Sequence, residues 1–193
     1  MTNLERKDLY SLEQYAEMRP DFRKKIMAHK KNRRVQIGLH ATLLFEDRLT
    51  MQYQIQEMLR IEKIFEAEAI QEELDSYNPL IPEGSNWKAT LFVEYPDVDE
   101  RKDALAQLIG IESCVWIQIG DCELIRPIVD EDLERDTEDK TSAVHFLRFE
   151  LDDTMVTRAR AGDRIRMGID HKNYQYTTEL SEAVRQSLLN DLS

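Results

Sequence analysis

Residues 43–77 read LLFEDRLTMQYQIQEMLRIEKIFEAEAIQEELDSY. The stretch holds no Gly and no Pro, and it is rich in Leu, Met, Glu, Gln, Lys and Arg, which lose little rotamer freedom in a helix. This composition predicts one long central helix. At about 1.5 Å per residue it would reach roughly 50 Å, across a whole small domain. Asn78-Pro79 ends it, because a residue before proline avoids the helical region.

At helical spacing, Leu44, Met51, Ile55, Met58, Phe65 and Ala69 form one apolar strip, and Phe45, Leu49, Leu59, Ile70 and Leu74 widen it. Such a broad arc predicts packing on two sides. Glu62 falls within the strip and Arg48 and Glu66 lie near its edge. A carboxylate there needs a cation, a donor or its own proton. Glu46, Thr50, Tyr53 and Glu57 line the opposite arc, which reads as a solvated face or as a carboxylate stripe facing a cleft.

Around this stretch the chain of 193 residues suits one α+β domain, helical over residues 1–78 and sheet-containing over 86–193. Hydrophobic content of 41% allows a core, while 33% charged residues and a net charge of −12 make an acidic, self-repelling surface that argues against a general nucleic-acid binder. Residues 19–34 run the other way, with eight Lys or Arg and one Asp. That segment carries +7, which leaves −19 elsewhere. It reads as a basic arm lying on the acidic body or on a second copy, or as a docking site for an anionic ligand or acidic partner. No apolar run approaches the roughly 18 residues of a membrane span, and residues 1–15, MTNLERKDLYSLEQY, lack the apolar centre of a signal peptide. A cytoplasmic location is the expectation. Cys114 and Cys122 form no Cys-x-x-Cys or zinc spacing.

Before the long helix, Ser11 caps a short helix to residue 19, Pro20 opens another over 21–31, and residues 35–38 form an extended link. After it the period changes to two. Strands are expected over 88–95, 143–151 and 164–170, and a hairpin over 114–119 and 122–128 turning at Gly120-Asp121, with Ile119 opposite Cys122. Helices are expected from Asp97 to about residue 109, over 153–161 before Gly162, and from Thr177 or Thr178 to about residue 192. Residues 130–142 read as a charged loop. The pattern predicts a mostly antiparallel sheet of about five strands covered by helices.

Three histidines qualify as ligands: His40, His145 and His171. Together with Glu46 and Glu57 they would make an imidazole–carboxylate set suited to iron, manganese or zinc. Alternation places His145 with Leu147, Phe149 and Leu151, the ordinary setting of a core histidine. No Glu-x-x-His or His-Glu-x-x-His motif is present, and no serine or cysteine lies in a recognisable nucleophile motif.

Several stretches taken in order carry a resemblance. They are Arg33-Arg34-Val35 with Gly38, Phe45-Glu46, Gln54-x-Gln56-Glu57-Met58-x-Arg60-x-Glu62, Glu73-Leu74 with Tyr77-Asn78-x-Leu80-Ile81-Pro82, Ala89-Thr90-Leu91, Ser142-Ala143-Val144-His145 with Arg148-Phe149, and Asp170-His171-x-x-Tyr174. Together they resemble a bacterial family known as domain of unknown function 3501, over nearly the whole chain. The resemblance implies an accessory or partner protein of an oxidative-stress or electron-transfer system, because members tend to be encoded beside rubrerythrin-like proteins and iron–sulfur oxidoreductases. It implies a rubrerythrin-like or iron–sulfur partner and supplies no catalytic residues.

Three functions are therefore expected in turn: the accessory protein, a metal-binding redox protein using the His/Glu set, and a small-molecule or anion-binding module built on Arg60, Arg148 and Tyr174. The polar candidates are Glu46, Gln54, Glu57, Arg60, Glu62, Arg148 and Tyr174. A homo-oligomer seam along the polar stripe is a further expectation. Polar groups that disturb an otherwise consistent apolar pattern are where function is expected.

Overall fold

The computed structural model of the protein describes residues 2–131, 135, 137 and 139–193. In it, residues 43–77 divide into three elements. Ala41–Phe45 is a strand (β2), Arg48–Glu62 a helix (α2) and Ala67–Tyr77 a second helix (α3). The single long helix is thus corrected at its start and in its middle, while its end at Tyr77 stands as predicted. Residues 43–45 are an apolar run without periodicity, which fits a buried strand as well as a helix. β2 is paired on both sides and all five of its residues are buried.

Asp47 then starts α2: its side chain accepts from the Thr50 amide at 2.8 Å, and the Asp47 amide donates to Thr50 Oγ1 at 2.9 Å. The break after Glu62 lies at Lys63, which adopts a left-handed conformation with φ of 56°. The Ile64 amide bonds back to the Leu59 carbonyl at 2.9 Å, closing the helix end as a glycine usually does. The turn lets α3 fold back on α2, so that Met51, Ile55, Leu59, Ile70 and Leu74 share one core with Leu4 and Ile81.

Nearer the N-terminus, Leu12–Lys31 is one helix (α1) with Pro20 inside it, where two were expected. Ser11 caps it as predicted. Tyr15, Phe22 and Ile26 of α1 pack on Tyr53 of α2. Arg34–Ile37 (β1) turns back into β2 through Gly38, whose φ is +70°. A Cβ on Gly38 would stand 2.5 Å from the Tyr176 ring, so no other residue fits that turn.

The remaining strands are Asn86–Val93 (β3), Val115–Ile119 (β4), Ile128–Val129 (β5), Val144–Glu150 (β6), Ile165–His171 (β7) and Tyr174–Glu179 (β8). Five form an antiparallel sheet ordered β1-β2-β3-β6-β5, and three form a second ordered β4-β7-β8. The helices Val98–Gln107 (α4), Asp153–Ala161 (α5) and Glu182–Leu189 (α6) complete an α+β fold. Asp97 caps α4 and Gly162 closes α5, both as predicted.

The expected 114–128 hairpin survives as the turn and one bridge, Ile117 to Ile125, shifted by a residue from the predicted register. Its second arm leaves to pair with β6 instead. Residues 177 and 178 lie in β8 rather than at a helix start, and Ser181 caps α6. β8 is an edge strand with little apolar alternation to announce it. Within the expected charged loop, residues 132–134, 136 and 138 lie outside the described residues.

Alternation divides the larger sheet into two faces. Leu43, Phe45, Trp87, Ala89, Leu91, Leu147 and Phe149 point inward, against Ile117, Ile165, Met167 and Ile169 of the smaller sheet and Val184 and Leu188 of α6. The Trp87 indole donates to the Leu188 carbonyl at 3.0 Å. Leu44, Lys88, Thr90, Phe92, Val144, Phe146 and Arg148 take the other face and line two cavities shared with the helical region 12–80. Among the described residues no helix is long and apolar enough to cross a membrane.

Candidate functional site

Glu46 follows β2 directly, and the register places it opposite Lys88 of β3, whose carbonyl accepts the Glu46 amide at 2.8 Å. Its side chain is buried and receives two hydroxyl bonds, from Thr50 Oγ1 and Thr90 Oγ1, each at 2.7 Å. Burial pushes its carboxyl above the usual carboxylate range, and the two hydroxyls together with the charges of Lys30 and Arg33 pull against that rise. The carboxylate lines a cavity of about 260 Å³ with Lys30, Met51, Gln54, Tyr77, Phe92 and Phe146.

A second cavity of about 320 Å³ adjoins the first, sharing Leu80 and Phe146. Lys88 and Arg148 face it, together with Asp75 and Glu131. The Lys88 ammonium is nearly buried and donates to the Pro79 carbonyl at 2.7 Å, with Glu83 at 3.4 Å. Arg148 is clamped by both oxygens of Glu131, each at 2.7 Å, and by Glu150. The two cavities adjoin as separate compartments of a cleft between the sheet and the helices, mostly apolar and polar at chosen points, as small-molecule sites are.

Behind Glu46 lies a buried ionic cluster. Arg33 is 1% exposed. It donates to the Phe45 carbonyl at 2.8 Å, the Glu46 carbonyl at 2.9 Å and Asp191 Oδ2 at 2.5 Å. Asp47 stands 3.4 Å from the guanidinium and 2.6 Å from His29 Nε2. Burial pushes the Asp191 carboxyl up to about 6, against the opposing charge of Arg33. The cluster ties the C-terminal tail to the end of β2 and fixes the backbone that presents Glu46.

The other sequence candidates disperse. Glu57 accepts from Tyr15 at 2.7 Å and from Arg19 at 2.7 and 2.9 Å, and Arg60 joins it at 3.3 Å. These contacts, Arg19 foremost, hold the Glu57 carboxyl down at about 2. Glu62, expected in the core, is exposed, because α2 ends there. Tyr174 belongs to the interior: its hydroxyl donates to the Ile37 carbonyl at 2.6 Å and accepts from the His40 and Ala41 amides, locking the β1–β2 turn. Arg60, Arg148 and Tyr174 therefore share no site.

The histidines are also separate, and each has its own partners. His40 stacks on Tyr95 at 3.9 Å with Nδ1 3.0 Å from the Glu94 carbonyl, in the turn before β2 rather than at a helix start. His145 is fully buried, as alternation predicted, between Asp130 at 2.7 Å and Thr141 at 2.8 Å. His171 contacts the Ile109 carbonyl at 3.2 Å and accepts from the Asn173 amide. The proposed set of His40, His145, His171, Glu46 and Glu57 is not brought together, and no group of three or more His, Cys, Asp or Glu among the described residues is placed to hold a metal ion. Cys114 and Cys122 are free.

Of the predicted residues, only Glu46, Gln54 and Arg148 reach the cleft. Lys30, Tyr77, Lys88, Phe92 and Phe146 were not singled out. Period-two alternation places Phe146 with Arg148 on one face of β6, and the register places Lys88, Thr90 and Phe92 on the same side of β3. Nothing in the sequence showed that those faces meet Glu46.

The family model described as "Protein of unknown function (DUF3501)" matches residues 3–192. A crystal structure of a protein of unknown function from Burkholderia pseudomallei K96243 is similar over 100% of both chains, with 50% sequence identity and a TM-score of 0.95. No curated protein matches the chain.

Proposed function

Because the chain belongs to the DUF3501 family, whose description names no activity, we propose its function from the cleft itself: it binds a small organic molecule between the outer face of the larger sheet and the helices. The observation that carries this reading is Glu46. A carboxylate buried to 5% exposure, whose side-chain hydrogen bonds among the described residues come from two hydroxyls, is costly for folding alone. It stands in the wall of a cavity, where a ligand's donor can meet it. The apolar side chains Leu44, Met51, Phe92 and Val144 around it supply contact area, while Gln54 and Tyr77 supply orientation. Crystals soaked in mixed small fragments test the reading. Density spanning Glu46 and Phe146 is expected; fragments that settle elsewhere and leave this cleft empty would refute it.

A second reading rests on a different surface. Arg19, Arg33 and Arg34 of the basic segment are engaged within the chain, by Glu57, Asp191 and Glu94. Arg23, Lys24, Lys25 and Lys31 are exposed beside Met27. This half of the segment suits an acidic protein partner and supports the accessory role in an oxidative-stress or electron-transfer system that the family resemblance implies. Co-purification with an iron–sulfur or rubrerythrin-like protein that weakens with salt is expected. Capture that ignores salt, or that survives reversal of these four charges, would count against it.

A further inference from the structure

The inner cavity holds one acid and one base that do not meet. Glu46 is pinned to the sheet by Thr50 and Thr90. Lys30, half-buried near the end of α1, lines the same cavity with its ammonium 5.8 Å from the centre of the Tyr53 ring. Among the described residues neither side chain lies in an ion pair. The other cation near Glu46 is Arg33, which gives its hydrogen bonds to the Phe45 and Glu46 carbonyls, to Ser187 and to the Asp191 carboxylate. Asp47, the next residue, is occupied by the α2 amide of Thr50, by His29 and by Arg33.

Opposite charges on one cavity wall, neither in an ion pair among the described residues, suit an occupant that carries both charges. An ammonium would pair with Glu46, and a carboxylate with Lys30. The rest of the lining includes Leu44, Met51, Phe92 and Val144, which suit an apolar side chain. Size limits the choice further. About 260 Å³ falls below the roughly 300–1,000 Å³ of pockets that take drug-sized ligands, so the occupant is a small metabolite. Resting on the cleft reading above, we propose that this cavity binds a zwitterionic amino acid with an apolar side chain, its ammonium on Glu46 and its carboxylate on Lys30. An incoming ammonium would add to the pull that Lys30 and Arg33 already exert against the burial that raises the Glu46 carboxyl.

The test uses the full chain with labelled methionine methyls, because Met51 lines the cavity and reports occupancy. The probes are L-leucine, isocaproate (which lacks the ammonium) and isoamylamine (which lacks the carboxylate). Leucine is expected to bind at least about tenfold more tightly than either. Glu46→Gln keeps the side-chain shape, with its carbonyl oxygen accepting one hydroxyl and its amide nitrogen donating to the other, and should reduce leucine to the affinity of isocaproate, whose own binding is unchanged and so verifies folding. Lys30→Met should reduce leucine to the affinity of isoamylamine. Either analogue binding as tightly as leucine, or leucine binding unchanged in both variants, would overturn the amino-acid assignment while leaving the cleft reading standing. If none of the three probes moves the Met51 signal, the amino-acid assignment fails and the fragment soak alone decides the cleft reading.

Discussion

The two faces of the five-stranded sheet come from the same strands and have opposite physical character. Along β3, Trp87, Ala89, Leu91 and Val93 are buried among apolar groups of the second sheet and α6. Lys88, Thr90 and Phe92 alternate with them and line a cleft beside a carboxylate, a lysine and a tyrosine from elsewhere in the chain. The inner face is packed to exclude cavities, and its free energy is that of apolar burial. The outer face leaves space and spends hydrogen bonds on holding charges in place. On the proposed reading, stability and binding would fall to alternate residues of one strand, so either could change without the other.

Substitutions can break this division, and the largest effect belongs to the cluster that supports both faces. Arg33→Met leaves Asp191 and Asp47 buried without their guanidinium, and should cost about 3–5 kcal/mol in denaturant unfolding. A cost below about 1 kcal/mol would mean that the cluster does not hold the end of β2.

A sharper comparison uses neighbours. Leu91→Ala, on the inner face, should cost about 2–5 kcal/mol through the cavity it leaves. Phe92→Ala, on the half-open outer face, should cost about 1 kcal/mol or less while weakening whatever binds the cleft. Equal losses of stability would erase the distinction between the faces.

The smallest effect lies in the seam between α1 and α2. Glu57→Gln should cost about 1 kcal/mol near neutral pH. The Glu57 carboxyl is lowered from 4.5 to about 2 in the fold. Its contribution is therefore complete above about pH 4.5 and is lost as pH falls toward 2, where the native group takes up its proton. Unfolding curves of the two proteins should converge over that window. A difference that stays constant with pH would assign the effect to packing.

Much of the inner face was legible before any coordinates. The alternation in residues 143–151 put His145 with Leu147 and Phe149, and all three are buried. Asp97 and Gly162 marked helix ends because their roles are local, one an oxygen reaching amides two and three residues on, the other a left-handed turn. Asp47 and Thr50 carried the same kind of signal, and the apolar run before them obscured it. Lys63 carried none. The left-handed turn at Lys63 is closed by the Ile64 amide on the Leu59 carbonyl, and Ile64 packs on the core that α2 and α3 share, neither of which its own residue type announces.

The sequence by itself determined the α+β class, the antiparallel pattern and the two faces of β6, because those follow from period, propensity and caps within a few residues. Tertiary structure alone decided that residues 41–45 are a strand, since β1 and β3 supply the partners that a helix would have found internally. It alone decided the cleft as well. Lys30, Glu46, Tyr77, Lys88 and Phe146 come from five separate elements and connections, and their meeting is set by how the helices fold back over the sheet. Local sequence fixes the direction in which a side chain leaves its backbone; only the packed chain fixes what stands opposite.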